Sequence, residues 1–553
     1  MARIRRHSCS RRAERPAPAA RAALSILAMA ALIAAAGAVA AATAPATAPH
    51  PFSVHDMLAM ERLSEPQVSP DGQWVAFNVR TTDLAANKGR FDLWLVRADG
   101  TGLRRLTTHP DRDASPCWGP AGEIYFLSTR SGSSQVWAID PAGGEPRQVT
   151  DLPLDVGNLK VAPQAGALVF SLEVYPGLSP AQTAAKDAEL AQRQASGRAY
   201  DELMFRHWDT WEDGKRSHLF VRPLAGGDAQ ARDLMPGLDA DAPTLPFGGA
   251  EEFAVSPDGR WLVYAAKVLP GSEPAWSTDV DLWAVPLDGS APARCLTEAN
   301  RAVDTQPAFS PDGKTLAYLA MARPGYEADR QRIVLLDWAT GAARPLTEAW
   351  DRSPGEIVWA PDGRAIWCTA GNLGQSSIFR VDVKTGQVAE VAHEGTNHAL
   401  QPVKNGVLFL RNSLLGPDEL HYVPADGKNL RRLTAINDAR LAAAKLGEPE
   451  QFSFPGWNGE TVYGYLVKPI DFDPARKYPV AFLIHGGPQG SFGNDFHYRW
   501  NPQAYVGAGF AALMVDFHGS TGYGQAFTDA INGHWHDRPA EDMMKGLDWA
   551  LQR

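Results

Sequence analysis

The sequence has few cysteines and no spaced metal-binding motif. Of its four cysteines, Cys9 lies near the amino end, and Cys117, Cys295 and Cys368 are far apart. Three isolated cysteines exclude a disulfide framework and allow at most one bridge in an oxidising compartment, so we interpret them as mostly buried small side chains. CxxC, HExxH and EF-hand spacings are missing. The sequence therefore predicts neither a metal nor another cofactor.

Positive charge is scarce outside the first residues of the chain. The 553 residues include 53 Lys and Arg and 63 Asp and Glu, a net charge of −10. Residues 1–44 hold seven arginines and one glutamate, so 46 basic and 62 acidic residues remain without them, a net charge of −16. Nucleic acids and anionic membranes need basic protein surfaces. This composition therefore speaks against either as a partner.

The first 44 residues have the pattern of a secretory signal. An arginine-rich start is followed by the apolar run Ala22 to Ala42, with small residues at 38–40 and 42–44 that suit cleavage. We therefore predict that residues 1–44 are a signal peptide and that the protein is exported, to the periplasm or outside the cell. The alternative is an uncleaved membrane anchor, since the run is long enough to span a bilayer. Its alanine richness favours cleavage.

One turn motif recurs along the chain. Ser-Pro-Asp-Gly begins at Ser69, Ser256 and Ser310, and weaker copies begin at Gly119, Ala162, Ala360 and Pro402. Proline presets φ for a tight turn, aspartate caps it, glycine takes the positive φ, and alternating apolar residues then predict a strand. Leu-Thr pairs at 106–107, 296–297, 346–347 and 433–434 close four of the units.

Repeats of roughly 40 to 55 residues with several strands each are typical of propeller blades. The sequence therefore predicts an all-β seven-bladed propeller over residues 52–436, with a helical lead-in at 52–63. The third repeat carries an insertion at 175–250. Within it, residues 181–196 are helical by composition, and residues 200–214 interleave aromatic side chains with acids and one arginine. Long insertions in compact folds are often functional.

A different pattern begins after a linker at 437–450. Residues 451–553 start with a predicted hairpin around Asn458-Gly459 and continue with two short apolar strands, at 480–484 and 509–516. A short helix near 502–507 separates these strands, and each strand ends in a glycine-rich loop. Ligands bind at the carboxyl ends of strands in such α/β units. In the first loop, His485-Gly486-Gly487-Pro488, glycines let backbone N–H groups approach a developing negative charge.

The His485–Pro488 turn, the downstream loop Gly519–Gly524 and the repeats together resemble the prolyl oligopeptidase family of serine peptidases, closest to its acylaminoacyl-peptidase and dipeptidyl-peptidase 5 branch. The resemblance implies a propeller followed by an α/β-hydrolase domain. It also implies a serine exopeptidase that releases dipeptides or acylated residues from the amino end of short peptides by acyl-enzyme chemistry. The oxyanion donor implied is the backbone N–H of Gly487, with Gly486 and His485 in the same turn.

The resemblance further implies that carboxylates of the propeller insertion pair with the free ammonium of the substrate. The candidate substrate-binding residues are Glu202, Arg206, Asp209, Trp211, Glu212 and Asp213, with Arg206 for a peptide carbonyl. The pattern does not select one carboxylate. A purely structural role is the alternative, in which Arg206 pairs with Asp209 while Trp208 and Trp211 pack the blade.

The nucleophile motif of an α/β hydrolase, G-x-S-x-G, does not occur in the 553 residues. Ser520 follows His518 where the motif needs glycine, Ser491 follows Gln489, and Ser179 lies in the insertion. Since Asp or Glu and then His follow the serine in chain order, the catalytic Ser, Asp and His are expected beyond Arg553. We therefore predict an incomplete hydrolase domain at 451–553, and a chain that by itself is inactive and poorly folded at its carboxyl end.

Two other hypotheses stay open at this point. One is a non-catalytic periplasmic propeller that binds a protein or peptide, as in TolB-type repeat proteins, which use the same turns. This hypothesis does not explain the unit of strand, glycine loop, helix and strand between Tyr478 and Asp516, because a binding propeller does not need it. The other is a hydrolase homologue without a nucleophile. The sequence does not choose between dipeptidyl and acylaminoacyl release, and it predicts no side-chain preference or oligomeric state.

Overall fold

Seven four-stranded antiparallel sheets follow one another between Arg62 and Arg432 in the computed structural model, which describes residues 48–553. The predicted signal peptide lies outside the described residues. Strand β1 (His50–Pro51) and helix α1 (Val54–Ala59) precede the sheets. The first three sheets consist of β2 (Arg62–Val68), β3 (Trp74–Asp83), β4 (Lys88–Arg97) and β5 (Arg104–Arg105); β6 (Asp113–Trp118), β7 (Ile124–Ser128), β8 (Gln135–Ile139) and β9 (Arg147–Gln148); and β10 (Gly157–Ala162), β11 (Ala167–Val174), β14 (Arg216–Pro223) and β15 (Arg232–Asp233).

The next four sheets repeat this arrangement. They consist of β16 (Phe253–Val255), β17 (Trp261–Ala266), β18 (Asp281–Pro286) and β19 (Arg294–Cys295); β20 (Asp304–Phe309), β21 (Thr315–Ala320), β22 (Arg332–Asp337) and β23 (Ala343–Pro345); β24 (Pro354–Trp359), β25 (Ala365–Asn372), β26 (Gln375–Asp382) and β27 (Val388–Ala392); and β28 (Thr396–Val403), β29 (Gly406–Ser413), β30 (Gly416–Pro424) and β31 (Arg431–Arg432). One parallel pairing, Ser376 with Thr396, joins the sixth and seventh sheets.

The seven sheets form a ring that is closed by apolar packing. Each junction between consecutive sheets holds one core cluster of buried side chains. A seventh cluster joins the last sheet to the first, where Leu408 and Leu420 pack with Leu63 and Phe77. Seven sheets with seven apolar junctions are consistent with the predicted propeller. We call residues 62–432 the sheet ring.

The repeated turn has the geometry that its residue types favour. In the copy at 256–261, the Ser256 hydroxyl donates to Asp258 Oδ1 at 2.6 Å, and Asp258 Oδ1 also accepts the Arg260 N–H at 3.1 Å. The Trp261 N–H donates to Ser256 Oγ at 2.9 Å, and Gly259 has φ +72°. The hydrogen bond from Ser256 is the main cause that lowers the pKa of Asp258 to about 2. The copies that begin at Ser69 and Ser310 have the same hydrogen bonds, so the turn prediction is confirmed for the three Ser-Pro-Asp-Gly copies.

The Leu-Thr pairs also have a common structural role. In four sheets, the hydroxyl of the threonine in the pair accepts the N–H of a residue in the third strand at 2.8–3.0 Å: Thr107 from Leu93, Thr297 from Leu282, Thr347 from Ile333 and Thr434 from Leu420. Thr150, which follows Val149, accepts the Val136 N–H at 2.8 Å in the same way. These N–H groups belong to buried strand residues, so a side chain that satisfies them stabilises the sheet.

The insertion in the third sheet forms its own elements. Helix α2 (Pro180–Ala191) is capped by Ser179, and the hairpin of β12 (Arg206–His207) and β13 (Thr210–Trp211) follows. The helix ends five residues earlier than the composition of 181–196 suggests, and the segment from Gln192 to Tyr200 has no regular structure. Short 3₁₀ helices occur at Pro163–Ala165, Asp228–Gln230, Ala250–Glu252, Glu273–Ala275 and Trp457–Gly459.

A mixed sheet with helices follows the ring. After α3 (Asp438–Ala442) and β32 (Ala444–Lys445), the strands β33 (Pro449–Pro455), β34 (Thr461–Val467), β35 (Val480–Leu483) and β36 (Ala511–Asp516) pair in the order β33-β34-β36-β35. Only β35 and β36 are parallel. Three helices complete this part: α4 (Pro502–Gly507), α5 (Gln525–Asp529) and α6 (Arg538–Leu551). As predicted, β33 and β34 form a hairpin around Asn458 and Gly459, both at positive φ.

Residues 49–553 form one compact unit, so the predicted division at 437–450 stays a prediction. The lead-in helix packs against the segment before α4, with Phe52 and Phe496 edge to face at 6.1 Å. Cys117, Cys295 and Cys368 are free, and Cys368 is buried. No helix between residues 48 and 553 is long and apolar enough to cross a membrane.

We expect replacement of Thr297 to destabilise the fourth sheet. Thr297 accepts the Leu282 N–H and donates to Asp281 Oδ1 at 2.8 Å. Thr297→Val keeps the shape but leaves both groups without this partner, at a cost of about 1–3 kcal/mol. Thr297→Ser keeps both hydrogen bonds and loses one methyl group, at about 1 kcal/mol or less. Calorimetric unfolding checks this, and equal destabilisation by the two variants would contradict it.

Candidate active site

Two glycine-rich loops meet at one edge of the mixed sheet. The first, His485–Gly490, follows β35, and the second, Gly519–Gly524, follows β36. Because β35 and β36 are parallel neighbours, both loops lie at carboxyl ends on the same side of the sheet. The Thr521 N–H donates to the Gly490 carbonyl at 2.9 Å and joins the loops directly.

Gly487 has a conformation that only glycine adopts easily. Its φ is +132°, and a Cβ at this position would lie 2.7 Å from the backbone nitrogen of Gln489. Gly486, by contrast, has open space around its Cα. Within the described residues, the N–H of Gly487 donates to no protein acceptor, and the residue is exposed. This N–H is free to bind a negatively charged oxygen of a ligand.

The His485 side chain is fixed by its neighbours. Its Nε2 lies 2.9 Å from Ser520 Oγ, and its ring stacks on Phe517 with 4.4 Å between the ring centroids. A fixed imidazole holds the start of the turn, and with it the direction of the backbone at Gly486 and Gly487. His485 therefore positions the loop.

His485, Ser520 and Asp516 lie close together, but they do not have the geometry of a catalytic triad. Asp516 Oδ1 lies 3.8 Å from the same Nε2 atom that contacts Ser520. A triad needs the carboxylate on Nδ1 and the serine on Nε2. The Ser520 side chain is also fully buried, so no substrate carbonyl reaches it.

Asp516 is hydrogen-bonded both to the second loop and to the residues that directly follow the first loop. Its carboxylate accepts the hydroxyls of Ser491 and Tyr523, each at 2.6 Å, and the N–H of Phe492 at 3.2 Å. The Asp516 side chain is buried, and burial together with this carboxylate raises the pKa of Tyr523 well above its ordinary value. Tyr523 thus stays a hydrogen-bond donor to Asp516 at neutral pH.

A second buried carboxylate, Asp542 of α6, binds His518, which lies one residue after Phe517 and directly before the second loop. Asp542 Oδ2 accepts the backbone N–H of His518 at 2.7 Å and contacts His518 Nδ1 at 2.6 Å. Its Oδ1 accepts the Trp457 N–H at 2.6 Å. Burial alone would lower the pKa of His518, but the hydrogen bond and charge of Asp542, aided by Glu460, raise it above 6.5.

A cavity of about 410 Å³ opens beside the two loops. Gln489, Thr521 and Gly522 line it from the loops, and residues of the fifth and sixth sheets line it from the ring. The Leu373 N–H donates to the Gly522 carbonyl at 3.1 Å, and Arg323 forms a bidentate pair with Asp529 at 2.8 and 2.9 Å. The cavity therefore lies where the ring meets the loops.

The predicted insertion residues lie elsewhere and do not line this cavity. Glu212 pairs with Arg216, and Asp213 with Lys215 at 3.4 Å. The other candidates are Glu202, Arg206, Asp209 and Trp211; Arg206 lies over the Trp211 ring at 5.4 Å rather than against Asp209. Trp208 and Trp211 are 75% and 52% exposed, so the alternative in which Arg206 pairs with Asp209 and these rings pack the blade is wrong. The substrate-binding role of the candidates stays a prediction.

Sequence reasoning found the first loop but missed the residues that hold it. The roles of Asp516, Phe517, Ser520 and Asp542 depend on contacts between segments that no local pattern connects. The position of Asp516 at the end of an apolar strand was the only available signal. Between residues 48 and 553, no group of three or more His, Cys, Asp or Glu side chains is arranged to hold a metal ion.

We expect Gly487 and Gly486 to respond differently to substitution. Gly487→Ala places a side chain at φ +132° and against Gln489, which costs about 1–3 kcal/mol. Gly486→Ala meets no neighbouring atom and should change the free energy of unfolding by less than about 0.5 kcal/mol. Thermal unfolding, with hydrogen exchange of the loop, measures both variants. A Gly487→Ala protein as stable and as protected as Gly486→Ala would refute this geometry.

We expect the His518–Asp542 pair to stabilise the protein most at acidic to neutral pH. Because the pKa of His518 is raised in the folded state, its contribution is complete below about pH 6.5 and is lost as pH rises through the raised pKa. The difference in unfolding free energy between wild type and His518→Asn should therefore shrink from pH 6 to pH 9. In an Asp542→Asn background this pH dependence should disappear, and its persistence there would contradict the assignment.

The sequence profile of the prolyl oligopeptidase family matches residues 496–553. The chain is 28% identical over 493 residues to dipeptidyl-peptidase 5 of Porphyromonas gingivalis, with 89% of this chain and 71% of that protein covered. It is 30% identical over 527 residues to a probable dipeptidyl-peptidase 5 of Arthroderma benhamiae, again with 89% of this chain and 71% of that protein covered.

Among solved structures, the fold is similar to that of an acylaminoacyl peptidase in complex with Z-Gly-Gly-Phe-chloromethyl ketone. The TM-score is 0.72 at 17% identity, and the match covers 91% of this chain and 72% of that one. The sequence relatives and the matched profile indicate the same family, and the shared fold is consistent with it. This chain belongs to the prolyl oligopeptidase family of serine peptidases.

Proposed function

We propose that this protein is a serine exopeptidase that releases dipeptides or acylated residues from the amino end of short peptides. Relatives named dipeptidyl-peptidase 5 and the fold of an acylaminoacyl peptidase support this proposal. The observation that carries it is the free N–H of Gly487, held in a strained loop at the carboxyl end of β35. A donor fixed in this way before a substrate binds is what acyl transfer needs.

The chemistry follows from the position of this donor. A serine attacks the peptide carbonyl, a histidine accepts its proton, and an aspartate orients the histidine. The carbonyl oxygen becomes negatively charged and accepts the N–H of Gly487 together with the N–H after the serine. The amine then leaves, and water hydrolyses the acyl-enzyme. The catalytic Ser, Asp and His, expected to follow Arg553, stay a prediction.

We further propose that the sheet ring is a seven-bladed propeller that restricts substrate size and that the mixed sheet is the first part of an α/β-hydrolase domain. The ring contacts the second glycine loop at Leu373, and the cavity between them has a volume of about 410 Å³. That volume lies in the range of pockets for small ligands. A folded protein does not fit, whereas the end of a peptide does.

Export is part of the proposal and rests on residues 1–44. In this location the partners are short peptides, and neither nucleic acid nor a membrane surface is involved. Sequencing the amino end of the protein from its native source tests this directly, because a start near residue 45 requires cleavage of the signal.

We expect the native protein to react with a fluorophosphonate and to hydrolyse a dipeptidyl nitroanilide. In that protein, Gly487→Ala keeps the N–H but changes the backbone conformation that directs it, so kcat should fall by up to about 10²–10³, the effect of losing one oxyanion donor. The intact mass of the native protein tests the predicted position of the serine, because residues after Arg553 would raise it above the 59.8 kDa of this chain. A native protein that neither reacts with the fluorophosphonate nor cleaves peptides would be a binding protein or an inactive homologue.

A further inference from the structure

A second cavity, of about 460 Å³, lies between the sheet ring and the hairpin of β33 and β34. Gln451 and Tyr465 line it from the hairpin, and it shares no lining residue with the cavity beside the glycine loops. Leu373, in the turn between β25 and β26, donates to the carbonyl of Gly522 at the first cavity and accepts the Gln451 amide at the second. This turn therefore lies between the two cavities.

One wall of the second cavity carries an arginine whose charge is not neutralised. Arg411 of β29 donates from Nε to the neutral Asn397 Oδ1 at 2.8 Å. Its two terminal nitrogens donate to no acceptor within residues 48–553. Burial lowers the pKa of Arg411, and the charge of Glu394 offsets this only in part. A half-buried guanidinium with both terminal nitrogens available is suited to bidentate binding of a carboxylate.

Ser413 adds a second donor to the same wall. It lines the cavity together with Arg411. Its hydroxyl oxygen accepts the Leu415 N–H at 3.2 Å, while the hydroxyl hydrogen has no acceptor in the part of the chain that the structure describes. This wall therefore offers a cationic fork and a hydroxyl to one anionic group of a ligand.

An acceptor for a cation lines the same cavity. The carboxylate of Glu394 forms no ion pair and accepts no hydrogen bond in the described residues. Its neighbour His393 is paired with Glu390 at 2.8 Å, so it does not neutralise Glu394. Gln451 donates its amide nitrogen to the Leu373 carbonyl at 2.7 Å, and its amide oxygen lacks a donor between residues 48 and 553. Two acceptors thus accompany the two donors.

A ligand with one ammonium and one carboxylate is complementary to this lining, because each of its charges finds an unpaired partner. A cube of about 460 Å³ has an edge of about 7.7 Å, and two extended residues span about 7 Å. In a dipeptide the two charges lie at opposite ends of that length, whereas a single amino acid carries them on one carbon. Leu415 and Pro449 supply apolar lining for its side chains.

We propose that this second cavity binds a free dipeptide, with the ligand carboxylate on Arg411 and Ser413 and its ammonium on Glu394. The site lies outside the candidate active site, so the inference goes beyond the proposed function and does not require the chain to cleave peptides. Gln451 belongs to the mixed sheet and Arg411 to the ring. A bound dipeptide therefore joins the two parts of the molecule.

The test is titration calorimetry of the full chain with four probes: Ala-Ala, Ala-Ala amide, N-acetyl-Ala-Ala and alanine. The amide lacks the carboxylate, and the acetylated probe lacks the ammonium. Alanine has both charges but is too short to reach both walls. Wild type should bind Ala-Ala at least tenfold more tightly than each of the other three.

Two variants assign the two ends of the ligand. Arg411→Gln should abolish the preference for Ala-Ala over its amide, and Glu394→Gln should abolish the preference over the acetylated probe. Arg352→Gln is the matched control, because this arginine lines the first cavity, and it should keep both preferences. Arg411→Lys retains the charge without the fork and should retain part of the preference over the amide, which covers poor folding of Arg411→Gln.

The proposal is overturned if wild type binds the three dipeptide probes equally or binds none of them. It is also overturned if both preferences survive in Arg411→Gln and Glu394→Gln, or if only Arg352→Gln loses them. Alanine that binds as tightly as Ala-Ala would contradict the dipeptide length. None of these measurements depends on hydrolysis, so their failure leaves the proposed function intact.

Discussion

The arrangement of the candidate active site depends on one buried carboxylate. Asp516 ends the strand β36 and accepts three hydrogen bonds, from Ser491, Phe492 and Tyr523. A buried charge is stable only when such donors surround it. The segments that supply them follow the first glycine loop and end the second, so satisfying Asp516 also sets the distance between the loops. The strained backbone of Gly487 persists because this network and His485 hold both sides of it.

The contact between the ring and the mixed sheet combines apolar packing, in which Leu414 lies against Tyr465 and Val467, with a buried polar network. The buried amide of Gln375 donates to the Tyr465 hydroxyl at 2.6 Å and accepts the N–H of Gly395 at 2.7 Å and the amide of Asn494 at 3.1 Å. Polar contacts of this kind require specific partners at specific positions. They define one orientation of the loops relative to the ring, and the cavity between them depends on that orientation.

Repeated and local features were predictable from the sequence, and contacts between distant segments were not. The Ser-Pro-Asp-Gly turns, the hairpin at Asn458 and the glycine loop at Gly487 depend on neighbouring residues, so their chemistry is visible in the order of the chain. The pairing of Glu212 with Arg216 and of Asp213 with Lys215 depends on the fold. Charge pattern alone therefore selected, among the carboxylates of the insertion, two whose charge an ion pair neutralises.

The ring can close only after its last sheet has been synthesised. Six of its junctions join sheets that are consecutive in the chain, but the seventh joins Leu63 to Leu433. The entropy cost of closing a loop rises with its length, and contacts between distant residues form slowly. During synthesis the first sheet has no partner for one of its faces until the last sheet has been made.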